Sequence, residues 1–337
     1  NFLNCILIKL KKILILMNYK PIIIVAGEPN SIFFEIFLKI INRNNFKSPI
    51  ILIGSKILFE KQIKFFKSKI NIKELDYSQK KIKINNLDKL NLINVEYRQN
   101  KLFEKISDRS NQYINTCFEI ALEILYKKIS NKLINGPISK KYFLKKKFIG
   151  ITEYLAKKTN SKDIAMIIYN KSLSVSPLTT HVPVKFISKK ITKSKIISKV
   201  KTINSFWKQR FKFKPKIAVT GLNPHCESID SFNEDEKIIK PSIKFLKKNN
   251  HNISGPFSAD TIFLKKNRQQ FDLIIGMYHD QVLTPVKTLF EYDAINITAG
   301  LPFIRVSPDH GPNELMLGKN LSNSLSLLRS IQFLDFK

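Results

Sequence analysis

Three of the five histidines in this chain of 337 residues, His181, His225 and His279, each stand one or a few residues beyond an apolar run of strand-like character. The runs are Leu173-Ser174-Val175, Ile217-Ala218-Val219 and Leu273-Ile274-Ile275. Neutral imidazole is the commonest protein ligand for a catalytic divalent cation, and three of them with an open position suit zinc or a similar ion. Their intervals, 44 and 54 residues, are not those of a zinc finger and have to be closed by the tertiary fold. A single histidine so placed is more simply a hydrogen-bonded loop residue. Three placed alike in a chain so poor in histidine point to a metal site assembled from separate strand ends.

The last of these histidines opens the most concentrated polar chemistry in the chain. Tyr278-His279-Asp280-Gln281 falls where its strand-like run ends, and in open α/β sheets ligands collect at the carboxyl ends of strands. Lys287, Asn296, Arg305, Asp309 and His310 follow, set among apolar pieces such as Ala294-Ile295 and Leu301-Pro302-Phe303-Ile304. Arg305, between Ile304 and Val306, is expected to hold an anion or carboxylate, because an unpaired buried guanidinium is costly. Any one of these residues alone is as well explained by a structural ion pair; together they favour a site.

The elements that must position these groups read as α/β. Pro21–Ala26 and Pro49–Gly54 are buried-strand runs, each leading into a helix, Ile32–Asn42 and Ser55–Ser68. Residues 70–100 read as edge strands and loops, and residues 109–130 as a long amphipathic helix. The turn Gly136-Pro137-Ile138-Ser139-Lys140 offers a hydroxyl and an amine to an anion, or is simply a capped loop. Strands follow around Ala165–Tyr169, Leu173–Val175 and Pro215–Gly221, helices over 185–209, and a closing helix over 313–335. A chain of this length predicts two domains or lobes. The first strand–turn–helix unit lacks G-x-G-x-x-G, so a Rossmann dinucleotide site is not supported.

The formal net charge of +32 would ordinarily suggest nucleic acid or an anionic membrane. Its source argues otherwise: 51 of the 58 basic residues are Lys, spread over nearly every segment, and the one tight cluster is Lys145-Lys146-Lys147. Specific nucleic-acid binding is not expected. Three cysteines, Cys5, Cys117 and Cys226, form no CxxC spacing or even disulfide framework, which fits a reducing cytoplasm. Apolar runs at the amino end are broken by Lys9, Lys11 and Lys12 into pieces too short to span a bilayer; Met17 suits a true start with residues 1–16 as an upstream extension, the alternative being a weak signal peptide or membrane-surface helix.

Seven segments in one order carry a family likeness: Leu178–Pro183, Val219–His225, Gly255–Thr261, Tyr278–Gln281, Asn296–Thr298, Gly300–Arg305 and Asp309–Gly311. With them the chain resembles the 4-hydroxythreonine-4-phosphate dehydrogenase (PdxA) family of vitamin B6 synthesis, from about Pro21 to its carboxyl end. The resemblance implies an isocitrate/isopropylmalate dehydrogenase-like fold, two interleaved α/β lobes with a central cleft, working as a homodimer. It implies that His181, His225 and His279 bind a divalent metal (zinc, magnesium, manganese or cobalt), with His279 delivered from the partner subunit. Substrate contacts carry over to Thr152, Lys287, Asn296 and Arg305, with NAD or NADP bound beside them.

The implied reaction oxidises 4-phosphooxy-L-threonine and decarboxylates the product to 3-amino-2-oxopropyl phosphate. The residue types suit it, Lys287 and Arg305 as partners of phosphate or carboxylate, Asp260 and Asp280 as groups that orient ligands or relay protons. Two departures stand out. Gly150-Ile151-Thr152-Glu153 has Ile where the family motif has His, a loss of a charged hydrogen bond worth about 1.5–3 kcal/mol, or ten- to a hundredfold in binding. The first turn, glycine-rich in the family, reads Asn30-Ser31-Ile32-Phe33-Phe34. Two other readings follow: a dehydrogenase of another phosphorylated hydroxy acid, such as a phospho-sugar acid, favoured by Ile151, and a degenerate metal-binding dimer, disfavoured by the retained histidines, Lys287 and Arg305.

Overall fold

The computed structural model describes residues 19–42, 44–78, 84, 90–145, 147–228 and 232–337. The predicted upstream extension over residues 1–16, Cys5 and Lys146 lie outside the described residues. The chain divides into two compact units, one ending at Ile151 and completed by Phe303–Lys337, the other spanning Thr152–Pro302.

The first unit begins with strand β1 (Ile22–Val25), helix α1 (Phe33–Ile41), strand β2 (Ile50–Gly54) and helix α2 (Lys56–Phe65). Strands β3 (Ile72–Glu74) and β4 (Leu90–Asn94), helix α3 (Asn111–Tyr126) and strand β5 (Lys132–Asn135) follow. In the second unit come helix α4 (Ile151–Lys158), strands β6 (Ala165–Tyr169) and β7 (Ser174–Thr179), helix α5 (Lys193–Phe211) and strand β8 (Ile217–Thr220). Helix α6 (Lys240–Lys248), strand β9 (Ile253–Phe257), strand β10 (Leu273–Tyr278), helix α7 (His279–Phe290) and strand β11 (Ile295–Ala299) complete it. The chain then returns to the first unit with strand β12 (Ile304–Pro308) and helix α8 (Leu325–Leu334).

In the first unit the strands pair in the order β3-β4-β2-β1-β5-β12, all parallel. The Ile-rich runs of β1 and β2 are buried throughout, as central parallel strands covered on both faces require. Strand β4 corrects the expectation of edge strands and loops over residues 70–100: it lies between β3 and β2. Its polar Asn91 hid it in the sequence, and that side chain donates to the Ile50 carbonyl at 3.2 Å while buried. Aromatic side chains pack the start of α1, Phe33 stacking on Phe37 and Phe34 packing against Phe59, while backbone meets the turn before it, the Glu28 amide donating to the Pro137 carbonyl at 2.8 Å and the Ile32 amide to the Pro312 carbonyl at 3.1 Å.

In the second unit the order is β11-β6-β7-β10-β8-β9, and only β6 runs against its neighbours. Side chains alternate across a strand, so consecutive residues of β6 show what covers each face. Ile168 packs with Val282, Leu283 and Val286 of α7, whereas Tyr169 stacks on Phe211 of α5. Helices α7 and α5 therefore cover opposite faces. Among the described residues no helix is long and apolar enough to cross a membrane.

One lysine is part of the first unit's core. Lys132, fully buried in β5, donates to the Ser48 hydroxyl at 3.2 Å, to the Lys20 carbonyl at 3.3 Å and to the Phe336 carbonyl, and lies over the Phe336 ring. Lys132→Met keeps the bulk but strips these acceptors of their donor. The variant is expected to lose about 1–3 kcal/mol in urea unfolding, and an unchanged midpoint would show that the ammonium does not tie down the carboxyl end.

Candidate active site

Strands β7, β10, β8 and β9 are parallel neighbours, so their carboxyl ends lie side by side. Four sequence-predicted residues follow those ends: His181 two residues after β7, His279 directly after β10, His225 in the turn after β8, and Asp260 in the helical turn after β9. The rings of His181 and His279 stand 5.7 Å apart between centres. Asp280 Oδ1 lies 2.7 Å from His279 Nδ1. That contact fixes the imidazole plane and leaves Nε2 as the outward nitrogen, a pairing usual behind a metal-binding histidine.

His225 sits in a left-handed conformation, φ 55°, and Cys226 in another, φ 61°. Two consecutive non-glycine residues in this region cost of order 1–3 kcal/mol each and persist only when the surroundings dictate them. Asp235 does so. Fully buried, its carboxylate accepts from the Leu222 amide at 2.8 Å, the Asn223 amide at 3.1 Å and the Asn223 side chain at 2.9 Å. Gly221 is required there, because a Cβ would come within 2.6 Å of Asp235 Oδ1. Burial raises the pKa of the Cys226 thiol, with Asp235 and, more weakly, Asp260 adding to the shift.

Two imidazoles on one ion at about 2.0–2.1 Å put their ring centres roughly 5 Å apart, so His181 and His279 fit the donor geometry of a divalent cation. Within one chain the third is not gathered with them: among the described residues no group of three or more His, Cys, Asp and Glu side chains is arranged to hold an ion.

The candidate substrate contacts of the second unit share the α7 face of its sheet. Asn296 pairs across the ladder with Ile168 and Thr298 with Met166, and directly opposed side chains of antiparallel strands lie on one face. Thr152, in the first turn of α4, has its hydroxyl 3.3 Å from that of Thr298. Asn296 Oδ1 is buried with no hydrogen-bond partner, an open acceptor. Lys287 stands on α7, and burial lowers its ammonium from the usual lysine value. Arg305 belongs to the first unit, 1% exposed in β12, and its Nε donates to Asn135 Oδ1 at 2.8 Å. An amide thus takes part of the role expected of an anion. After β12, His310 Nε2 is buried without a partner, and burial depresses the ring's pKa. Ser139, read either as an anion donor or as part of a capped loop, accepts from the Tyr142 amide at 3.3 Å and so caps its own turn.

Three further groups escaped the sequence, and Gln281, named there within its motif, has a role the sequence does not give. Gln281 Oε1 accepts from the Met277 amide and the Thr220 hydroxyl, both at 2.7 Å, while its Nε2 donates to the Gly221 carbonyl at 2.8 Å. Asp235 is the clamp described above. Glu28, just after β1, is buried and has its pKa raised to about 7, chiefly by burial, against hydrogen bonds from Ser110 and the Asn30 amide. Lys199 on α5 is brought down to about 8, chiefly by burial. Nothing local marks Asp235, Glu28 or Lys199.

Two α/β units of this topology define the isocitrate/isopropylmalate dehydrogenase-like fold, in which the strand-end groups form the candidate site. A solved 4-hydroxythreonine-4-phosphate dehydrogenase from Klebsiella pneumoniae is similar at a TM-score of 0.80 and 25% identity, covering 94% of this chain and 98% of that one. The sequence profile described as pyridoxal phosphate biosynthetic protein PdxA matches residues 45–334. A 4-hydroxythreonine-4-phosphate dehydrogenase of Sulfurihydrogenibium sp. is 38% identical over 315 residues, 92% of this chain and 95% of the relative. A D-threonate 4-phosphate dehydrogenase of Salmonella typhimurium is 28% identical over 302 residues, 88% of this chain and 92% of the relative. The chain belongs to the PdxA family.

Glu28 supplies a pH signature. Its folded pKa of about 7 lies above the ordinary value of 4.5, so between these pH values the folded state keeps a proton that the unfolded chain has lost. The stability this contributes is full below the ordinary value and lost as pH rises through the folded one. Glu28→Gln is expected to reduce the fall in unfolding free energy between acid and mildly alkaline pH by about 2 kcal/mol. Parallel pH curves for both proteins in urea melts would refute the buried proton.

Proposed function

We propose that this chain is a metal-dependent, NAD(P)-linked 4-hydroxythreonine-4-phosphate dehydrogenase that oxidises and decarboxylates 4-phosphooxy-L-threonine to 3-amino-2-oxopropyl phosphate. The product serves pyridoxal 5'-phosphate biosynthesis, and the place of work is the cytoplasm. The observation that carries the reading is the position of His181, His225 and His279 just past the carboxyl ends of neighbouring parallel strands, in a chain 38% identical to a 4-hydroxythreonine-4-phosphate dehydrogenase.

His181, His225 and His279 would hold a divalent cation, zinc, magnesium, manganese or cobalt, whose charge lowers the pKa of the substrate hydroxyl and draws the electron pair released with carbon dioxide. Asp280 orients the His279 ring, and Asp260, in the helical turn after the strand that pairs with β8, would relay a proton. Thr152 and Asn296 present a hydroxyl and an open amide acceptor to the substrate, and Arg305 a fixed guanidinium to phosphate or carboxylate. Lys287, its ammonium weakened by burial, suits moving the hydroxyl proton as hydride passes to the nicotinamide. Carbon dioxide then leaves, and a proton returns to the carbon that carried it.

Ile151 supports a second reading. It opens α4 beside Thr152, where an apolar side chain offers nothing to a charged group, and D-threonate 4-phosphate is the substrate named for one relative. Nicotinamide reduction by the purified protein with each phosphorylated acid, with and without chelator, separates the two. Chelator-sensitive turnover of 4-phosphooxy-threonine is expected, with Ile151→His lowering KM by about tenfold or more. Turnover of D-threonate 4-phosphate alone would replace the substrate, and no turnover of either would leave the degenerate metal-binding dimer.

His279→Ala and His225→Ala should each lower kcat by at least about a hundredfold. If a homodimer shares its site, mixing the two inactive variants restores up to about a quarter of native activity, because half the dimers are mixed and each has one intact site. A mixture that stays inactive would place His279 in the site of its own chain.

A further inference from the structure

The second unit has a pocket on the face of its sheet opposite Thr152, Asn296 and Lys287. Of about 370 Å³, it is lined by Lys162, Asp163 and Ile164 before β6, Leu178 of β7, and Ser194, Lys195, Ser198 and Lys199 on the first turns of α5. Asp163 Oδ1 accepts a hydrogen bond from the Ser198 hydroxyl, so that carboxylate is engaged within the wall. Three amines then remain around an apolar floor, and a volume of this size is that of a small-molecule site.

From this arrangement we propose that the pocket binds a small phosphorylated aldehyde, with Lys199 Nζ forming a reversible imine with the carbonyl carbon and Lys162 and Lys195 holding the phosphate. Lys199, which lines the pocket from the second turn of α5, is suited to the bond-forming role because burial brings its pKa down to about 8, Glu153 working against the shift and Lys195 with it. At neutral pH a sizeable fraction of that amine is free base, whereas an ordinary lysine is about one part in a thousand so. Its lone pair adds to the carbonyl carbon, forming a C–N bond. The carbinolamine then loses its hydroxyl as water, with the proton from nitrogen, leaving C=N. Water reverses the sequence, and no oxidant or reductant is involved. Glu153, the carboxylate coupled to Lys199, has Oε2 buried with no hydrogen-bond partner and is available to take the ammonium proton. The charges set around the amine are thus Glu153 from α4, Lys162 and Asp163 from the turn, and Lys195 from its own helix.

The proposal does not depend on the dehydrogenase reading, since imine formation is observed without turnover. Pyridoxal 5'-phosphate is a suitable probe, being a phosphorylated aldehyde whose imines absorb in the visible. The full chain is titrated with up to one equivalent near neutral pH, reduced with borohydride, and the secondary amine located by peptide mass spectrometry. Label concentrated on Lys199 is expected. Lys199→Arg, which keeps the cation but cannot form an imine, should lose that label and the early absorbance rise, while circular dichroism confirms that it folds. Lys195→Ala and Lys162→Ala should each weaken half-saturation several-fold, as should pyridoxal without its phosphate. Label spread over the 51 lysines by exposure, or concentrated on Lys287, would overturn the proposal. So would an undiminished absorbance rise in Lys199→Arg, or equal reaction of pyridoxal with and without phosphate.

Discussion

The arrangement of the candidate site rests on one amide. Gln281, in the first turn of α7, takes the last backbone donor before the end of β10 and the last hydroxyl of β8 on its oxygen, and returns its own N–H to the carbonyl of Gly221. A partly buried amide with these partners cannot rotate without leaving polar groups unpaired, at about 1–3 kcal/mol for each. It fixes the end of β8, from which the His225 turn departs, relative to the end of β10, on which His279 is mounted. The β10–β7 ladder, in register up to Tyr278 opposite Thr179, then carries His181 alongside. The spacing of the two histidine rings is a consequence of strand register, held where it would otherwise fray.

That dependence explains what the sequence disclosed. Runs such as Ile22–Val25 and Leu273–Tyr278 are apolar on both faces, which only a covered parallel strand tolerates, and they were legible as such. Elements whose partners supply the pattern were not. Strand β9 reads Ile253-Ser254-Gly255-Pro256-Phe257, with Gly and Pro where a strand signal should be, and is a strand because β8 offers an edge. Helix α6 shows only Ile243 and Leu246 as buried apolar residues, beside a buried Ser242 and among lysines, too few to set a period.

The site divides along the same line. Groups that touch a ligand lie in short local motifs, and His181, His225, His279, Asn296 and Lys287 stood out by type and position. Groups that act through the backbone did not. Asp235 lies ten residues from His225, on the far side of residues 229–231, and its role follows only from two backbone amides and a side chain meeting one buried carboxylate. Glu28 looks like part of an ordinary Gly-Glu-Pro turn, and burial retains its proton near neutrality against the hydrogen bonds from Ser110 and the Asn30 amide. Arg305 was legible as buried and in need of a partner. That an amide on the neighbouring β5 would meet its Nε was not.

The same reasoning bears on the charge of the chain. A protein with 51 lysines has an abundance of amines, and at neutral pH nearly all are protonated and hydrated, which makes them solubilising and chemically inert. Reactivity requires removing water from one of them, and three burials do so with different results. Lys132, fully buried, spends its donors on a hydroxyl and two carbonyls and serves the fold. Lys287 on α7 and Lys199 on α5, helices that cover opposite faces of one sheet, are lowered by burial, the latter further reached by Glu153 and Lys195. Residue type is common to all three, so function is assigned by what each helix or strand presses against the amine. In a chain where lysine is the commonest polar choice, the packing, and not the residue, carries the information.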